Sequence, residues 1–100
     1  MPKITVSVPH SGDPQLAVER SRPALEKTVE DFQGRDLDIA WNDTNADFSF
    51  KSMAFTIKGS VAVDDAQVTV TVDLPFAAIM YKDKAEKAIR KNLVRAIEEG

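Results

Sequence analysis

The chain has 100 residues, 43% hydrophobic and 29% charged, with a formal net charge of −3, enough for one domain around a modest core and ordinary for a folded protein. With no cysteine and one histidine, disulfides, thiol catalysis, thiolate metal sites and a histidine pair for zinc are excluded. No apolar run approaches the ~20 residues that span a bilayer, and Met1-Pro2-Lys3 leads into a strand pattern without the regions of a signal peptide, which points to a cytoplasmic protein of bacterial type.

Lys3 to Val8 alternates, with Ile4, Val6 and Val8 on one face and Lys3, Thr5 and Ser7 on the other, and reads as a strand ended by Pro9. Asp13-Pro14 gives a helix its capping acid and first residue. Val18, Leu25, Val29 and Phe32 form the inward stripe of that helix, and Gly34 suits the position just past its end. Pro23 falls inside the pattern, where a missing N–H and a steric clash predict a kink near Glu19 to Arg22 or two short helices in tandem. A second strand holds Leu37, Ile39 and Trp41 in phase. Asn42-Asp43-Thr44-Asn45 makes a turn, and Phe48 and Phe50 lie on the returning strand.

The apolar positions then change parity to Met53, Phe55, Ile57, Val61 and Val63. A period-2 strand cannot do this without an irregularity, and the absence of Gly, Pro or Asn at Lys51 to Met53 favours a bulge over a turn. A two-residue turn at Asp64-Asp65 pairs Val61 with Val68, Ile57 with Val72 and Phe55 with Leu74, apolar to apolar throughout. The opposite face, with Thr56, Lys58, Ser60, Gln67, Thr69, Thr71 and Asp73, is wet. A final helix from about Lys82 to Glu98 carries Ala85, Ile89, Leu93, Ala96 and Ile97 as its apolar stripe. The predicted architecture is a single α+β domain of order β-α-β-β-β-α, whose long middle strand can be counted as two. It is a twisted antiparallel meander with two helices packed on one face, like a reduced helix-grip fold.

Chemical motifs are weak. His10-Ser11-Gly12-Asp13 holds hydrolase residue types, but neighbours in one short loop cannot align as nucleophile, base and orienter. The segment reads as a helix entry, leaving His10 a minor candidate for ligand contact. Asp43-Thr44-Asn45-Ala46-Asp47 opens like a calcium-binding loop, yet the required glycine and bidentate acid are replaced by Phe48 and Ala54. No pair of titratable groups with an orienting partner can be placed in one pocket, so an enzyme is the least favoured class and no cofactor or metal is expected.

Two surface features carry the functional reading. Phe76, Ala77, Ala78, Ile79, Met80 and Tyr81 are apolar beyond what a connection needs, and form either a core plug or a contact patch, with Phe76, Ile79, Met80 and Tyr81 as candidate contacts. Lys84, Lys87, Lys91 and Arg95 recur three to four residues apart as a basic stripe. That stripe is a solvated face or a docking face for an anionic lipid or protein surface. Nucleic acid is disfavoured because acids outnumber bases from Glu30 to Asp73 and would repel phosphate.

The opening I-T-V-S-V-P-H-S, the central F-S-F-K-S-M-A-F-T-I-K-G, the V-D-L-P-F-A-A-I-M junction and the basic final helix together resemble the polyhydroxyalkanoic acid system family, small bacterial proteins associated with polyhydroxyalkanoate granule or synthesis genes. The resemblance covers nearly the whole chain, and its motifs are structural rather than catalytic. Pro23 departs from the usual pattern. The resemblance implies a non-enzymatic accessory role in polyester storage, with the granule surface or granule proteins as partners and a cytoplasmic, granule-associated location. Two other readings stand beside it. One is a carrier of a small apolar ligand, an acyl chain or lipid, held between sheet and helix. The other is an interaction module, a monomer or weak homodimer joined through the Thr-rich sheet face or an edge strand.

Overall fold

Alternation in the sequence becomes register in the sheet. A computed structural model describes residues 3–99, which fold as β1 (Lys3–Pro9), α1 (Pro14–Asp31), β2 (Gly34–Asn42), β3 (Asn45–Ser52), β4 (Phe55–Val63), β5 (Gln67–Asp73), a 3₁₀ segment (Phe76–Tyr81) and α2 (Lys82–Glu99). The strands form one antiparallel sheet in the order β1-β5-β4-β3-β2. The fold is α+β, in the expected order of elements.

One sheet face is buried. Ile4, Val6 and Val8 of β1 lie beside Val68, Val70 and Val72 of β5, and the face continues through Ile57, Val61 and Val63 of β4 to Ala46, Phe48 and Phe50 of β3. Both helices cover it. Ala17, Ala24, Leu25 and Val29 come from α1 and Ala85, Ile89 and Leu93 from α2, all in the same cluster. Val18 and Phe32, expected on the α1 stripe, are only partly buried. Leu37, Ile39 and Trp41 on the outermost strand are likewise partly covered.

The structure corrects four details. First, the parity change is a full two-residue hairpin rather than a bulge. Ser52 pairs with Phe55, and Met53 occupies the turn with φ 56°. In this register odd residues of β4 face even residues of β3, so parity reverses without any extra residue. The chain accepts a left-handed Met53 where glycine would be the ordinary choice. Second, the β4–β5 turn sits one residue later than expected, with Asp65-Ala66 at its tip. The Asp64 carboxylate accepts the N–H groups of Ala66 and Gln67 at 2.8 Å each, and these bonds hold its pKa below the ordinary value. The pairs are therefore Val61–Val70 and Val63–Val68. This moves every partner by two and leaves the buried face unchanged.

Third, of the two alternatives at Pro23 the tandem pair of helices does not form: α1 runs as one helix from Pro14 to Asp31. The proline is on the exposed side, where the carbonyl it leaves free can bond water. Fourth, Gln33, with φ 54°, takes the left-handed position after α1. Gly34 is needed for space instead, since a Cβ there would lie 2.7 Å from Val29 Cγ1 and 2.9 Å from Phe50 Cδ2. The expected helix entry holds, with Asp13 accepting the Gln15 N–H at 2.9 Å.

Gly59 shows the same close approach in the sheet. A Cβ at that position would meet Phe48 Cζ at 2.4 Å and the Thr71 backbone oxygen at 2.5 Å, so the Phe48 ring occupies the space a side chain would take. Gly59→Ala is expected to lower stability by about 2–3 kcal/mol in urea unfolding. Adding Phe48→Leu should recover part of the loss, but not all of it, because the contact with the Thr71 backbone remains.

The helices are joined by a buried polar residue that periodicity did not reveal. Asn92 is 4% exposed; its Nδ2 donates to Thr28 Oγ1 at 2.9 Å and to Asp31 Oδ2 at 3.1 Å. The hydrogen bond from Asn92, helped by Lys27 at 3.3 Å, holds the Asp31 carboxyl below its ordinary pKa. That carboxylate thus adds stability above its unfolded pKa, and the contribution is lost as pH falls through the lower, folded value. Asn92→Ala is expected to cost about 1–3 kcal/mol at neutral pH. It should also raise the Asp31 pKa toward its ordinary range, read by NMR titration, and weaken the fall of stability on acidification.

Candidate functional site

One end of the molecule collects the features left over from building the core. The 3₁₀ segment follows β5 at the end where α1 finishes, β2 begins and the β3–β4 hairpin turns. Pro75 fixes its entry with φ −61° and ψ 148°, and the Ala78 N–H donates to the Pro75 carbonyl at 2.9 Å. Ala78 alone is buried. Phe76 is 69% exposed, Ile79 50%, Met80 78% and Tyr81 41%. The six residues therefore anchor through one small side chain and present four large ones to solvent. Met53, 63% exposed at the tip of the β3–β4 hairpin, adds a fifth at the same end. Sequence reasoning placed Met53 in a strand and so missed it. An apolar residue at the parity break was the available signal.

Behind this rim lies a cleft of about 210 Å³ between the sheet and the two helices. Leu25 and Val29 of α1, Ile57 of β4, Val72 of β5 and Ala85 and Ile89 of α2 form its buried wall, and Asp31, Gln33, Met53, Tyr81 and Lys84 are the exposed residues at its mouth. Its lining is overwhelmingly apolar.

The basic stripe lies on the exposed side of α2. Lys84, Lys87, Lys91 and Arg95 are all exposed, and among the described residues none forms an ion pair within 4 Å. Lys84 lies in the first turn, where the helix dipole disfavours a cation and Asp83 supplies the favourable charge. The stripe leads away from the 3₁₀ segment, so the apolar patch and the cations are joined at the start of α2.

His10 lies at the opposite end. Its Nε2 meets the Asp64 carbonyl oxygen at 2.6 Å, and its backbone N–H donates to Ala66 O at 3.0 Å. A carbonyl can only accept, so Nε2 carries the proton and the ring ties the β1–α1 loop to the β4–β5 hairpin. The calcium-like segment lies at that end too, as the two-residue Asp43-Thr44 hairpin and the start of β3. Among the described residues no group of three His, Asp or Glu side chains is placed to hold a metal ion, and no helix is long and apolar enough to cross a membrane.

Met53 permits a test that separates stability from contact. Met53→Gly relieves a left-handed backbone at a non-glycine residue. Thermal unfolding should show equal or higher stability, by up to about 1 kcal/mol, while binding of the protein to an apolar surface should weaken.

A sequence model of the family described as "Putative polyhydroxyalkanoic acid system protein" matches residues 4–97. No curated protein matches the chain. Among solved structures, the protein TTHA0849 from Thermus thermophilus is similar over 98% of this chain and 95% of that one, with 11% identity and a TM-score of 0.42.

Proposed function

The chain belongs to the polyhydroxyalkanoic acid system family, and we propose that it acts there without catalysis, docking its Phe76–Tyr81 end on the surface of the polyester granule. The observation that carries this reading is the exposure of Phe76, Ile79, Met80 and Tyr81 within one six-residue segment. Pro75 and buried Ala78 hold that segment in place, so it presents the patch without first having to fold. Apolar side chains that gain nothing from the core gain free energy by leaving water at an apolar surface.

The cations of α2, which form no ion pair among the described residues, assist. A storage granule offers an apolar polymer and amphipathic coat molecules, and a row of basic side chains next to an inserted apolar edge favours the anionic part of such a coat. This contribution is screened by salt, whereas the apolar one is not. The two are thus separable by ionic strength.

Fully burying a side chain the size of Phe or Ile is worth about 1.5–3 kcal/mol. Phe76→Ser combined with Ile79→Ser is therefore expected to weaken co-sedimentation with polyhydroxyalkanoate granules by at least tenfold. Both residues are exposed, so the melting temperature should stay close to wild type. Unchanged co-sedimentation of a folded double variant would remove the proposal.

A further inference from the structure

The cleft behind the patch is a separate feature, and we infer that it is a binding site for a straight aliphatic acyl chain of about eight carbons, with its carboxylate at Lys84. The size follows from the cavity. A dry apolar cavity of about 150 Å³ holds a six-carbon ring, so the 210 Å³ here holds roughly eight carbons on the same scale. The shape of the chemistry follows from the lining. Leu25, Val29, Ile57, Val72 and Ile89 are buried side chains with nothing to offer a polar ligand. Water against that wall finds no polar side chain among those five residues.

The head group follows from the mouth. Lys84 is the one cation among the lining residues, and it has no carboxylate within 4 Å among the described residues. Asp31 also lines the mouth and would repel an anion, but its charge is already engaged by Lys27 at 3.3 Å and by Asn92. Gln33 and Tyr81 are further residues of the lining that carry donors. A monocarboxylate can therefore put its chain against the wall and its charge at the rim.

This site goes beyond granule docking and does not depend on it. Tyr81, Met53 and Lys84 belong to both surfaces, but Phe76 and Ile79 do not line the cleft, so variants at those two residues let the readings fail separately. The test is titration of the full chain with butyrate, hexanoate, octanoate and octanol, followed by methyl NMR and calorimetry. Affinity should rise about fourfold per added methylene up to octanoate, with shifts at Leu25, Val29, Ile57, Val72 and Ile89. Octanoate should bind several-fold tighter than octanol, and Lys84→Gln should erase that preference. Ala85→Phe, which fills the cleft from α2, should abolish binding. If that variant unfolds, Ile57→Phe fills it from the sheet instead. Phe76→Ser with Ile79→Ser should leave octanoate binding unchanged. No saturable binding of octanoate, affinity independent of chain length, shifts elsewhere on the molecule, or equal binding of octanol would each overturn the inference.

Discussion

A five-stranded sheet with one apolar face has to be covered, and this chain has two helices with which to do it. Each helix has 18 residues, about 27 Å long at the usual rise, while the molecule extends 39 Å along its longest axis. The clasp through Asn92, Thr28 and Asp31 draws the helices together over β1, β5 and β4. Cover thins toward the end where β4 begins at Phe55 and β5 gives way to Leu74. There the chain lays down the 3₁₀ segment, which closes the gap with Ala78 and leaves a cleft behind it. The exposed patch and the cleft are two consequences of the same incomplete cover.

That arrangement puts stability and function in different places. The far end is tied by hydrogen bonds, with His10 on the Asp64 carbonyl and the Asp64 carboxylate closing its own turn. The open end has large apolar side chains in water at Met53, Phe76, Ile79, Met80 and Tyr81. Those exposed side chains contribute nothing to the core. Exposed apolar side chains gathered in this way mark a surface that serves contact rather than the core.

The sequence made the sheet faces and the helix stripes legible because both rest on periodicity, which is local. Asp13 was readable as a cap for the same reason. The β4–β5 register was off by two because a carboxylate, and not the backbone alone, closes that turn. The β3–β4 turn was hidden because Met53 adopts a conformation that its residue type does not advertise. Pro23 did not split the helix into two, since its cost falls on the solvent side. Asn92 was invisible because a polar residue inside an apolar stripe looks like a flaw until Thr28 and Asp31 are brought to it from the other helix. The cleft could not be read at all: it is space left between elements far apart in the chain. By contrast, the question of which way Phe76 to Tyr81 points could be posed from the sequence, and the four exposed side chains answer it.

Orientation on the granule tests the central claim most directly. The chain contains no cysteine, so single labelling sites can be introduced at will. Met80→Cys places an environment-sensitive dye on the patch, and Ala62→Cys places one on the open face of the sheet, where Ala62 is exposed. Adding polyhydroxyalkanoate granules should shift the emission of the label at position 80 to the blue and leave that at position 62 unchanged. A shift confined to position 62, or equal at both, would contradict the account.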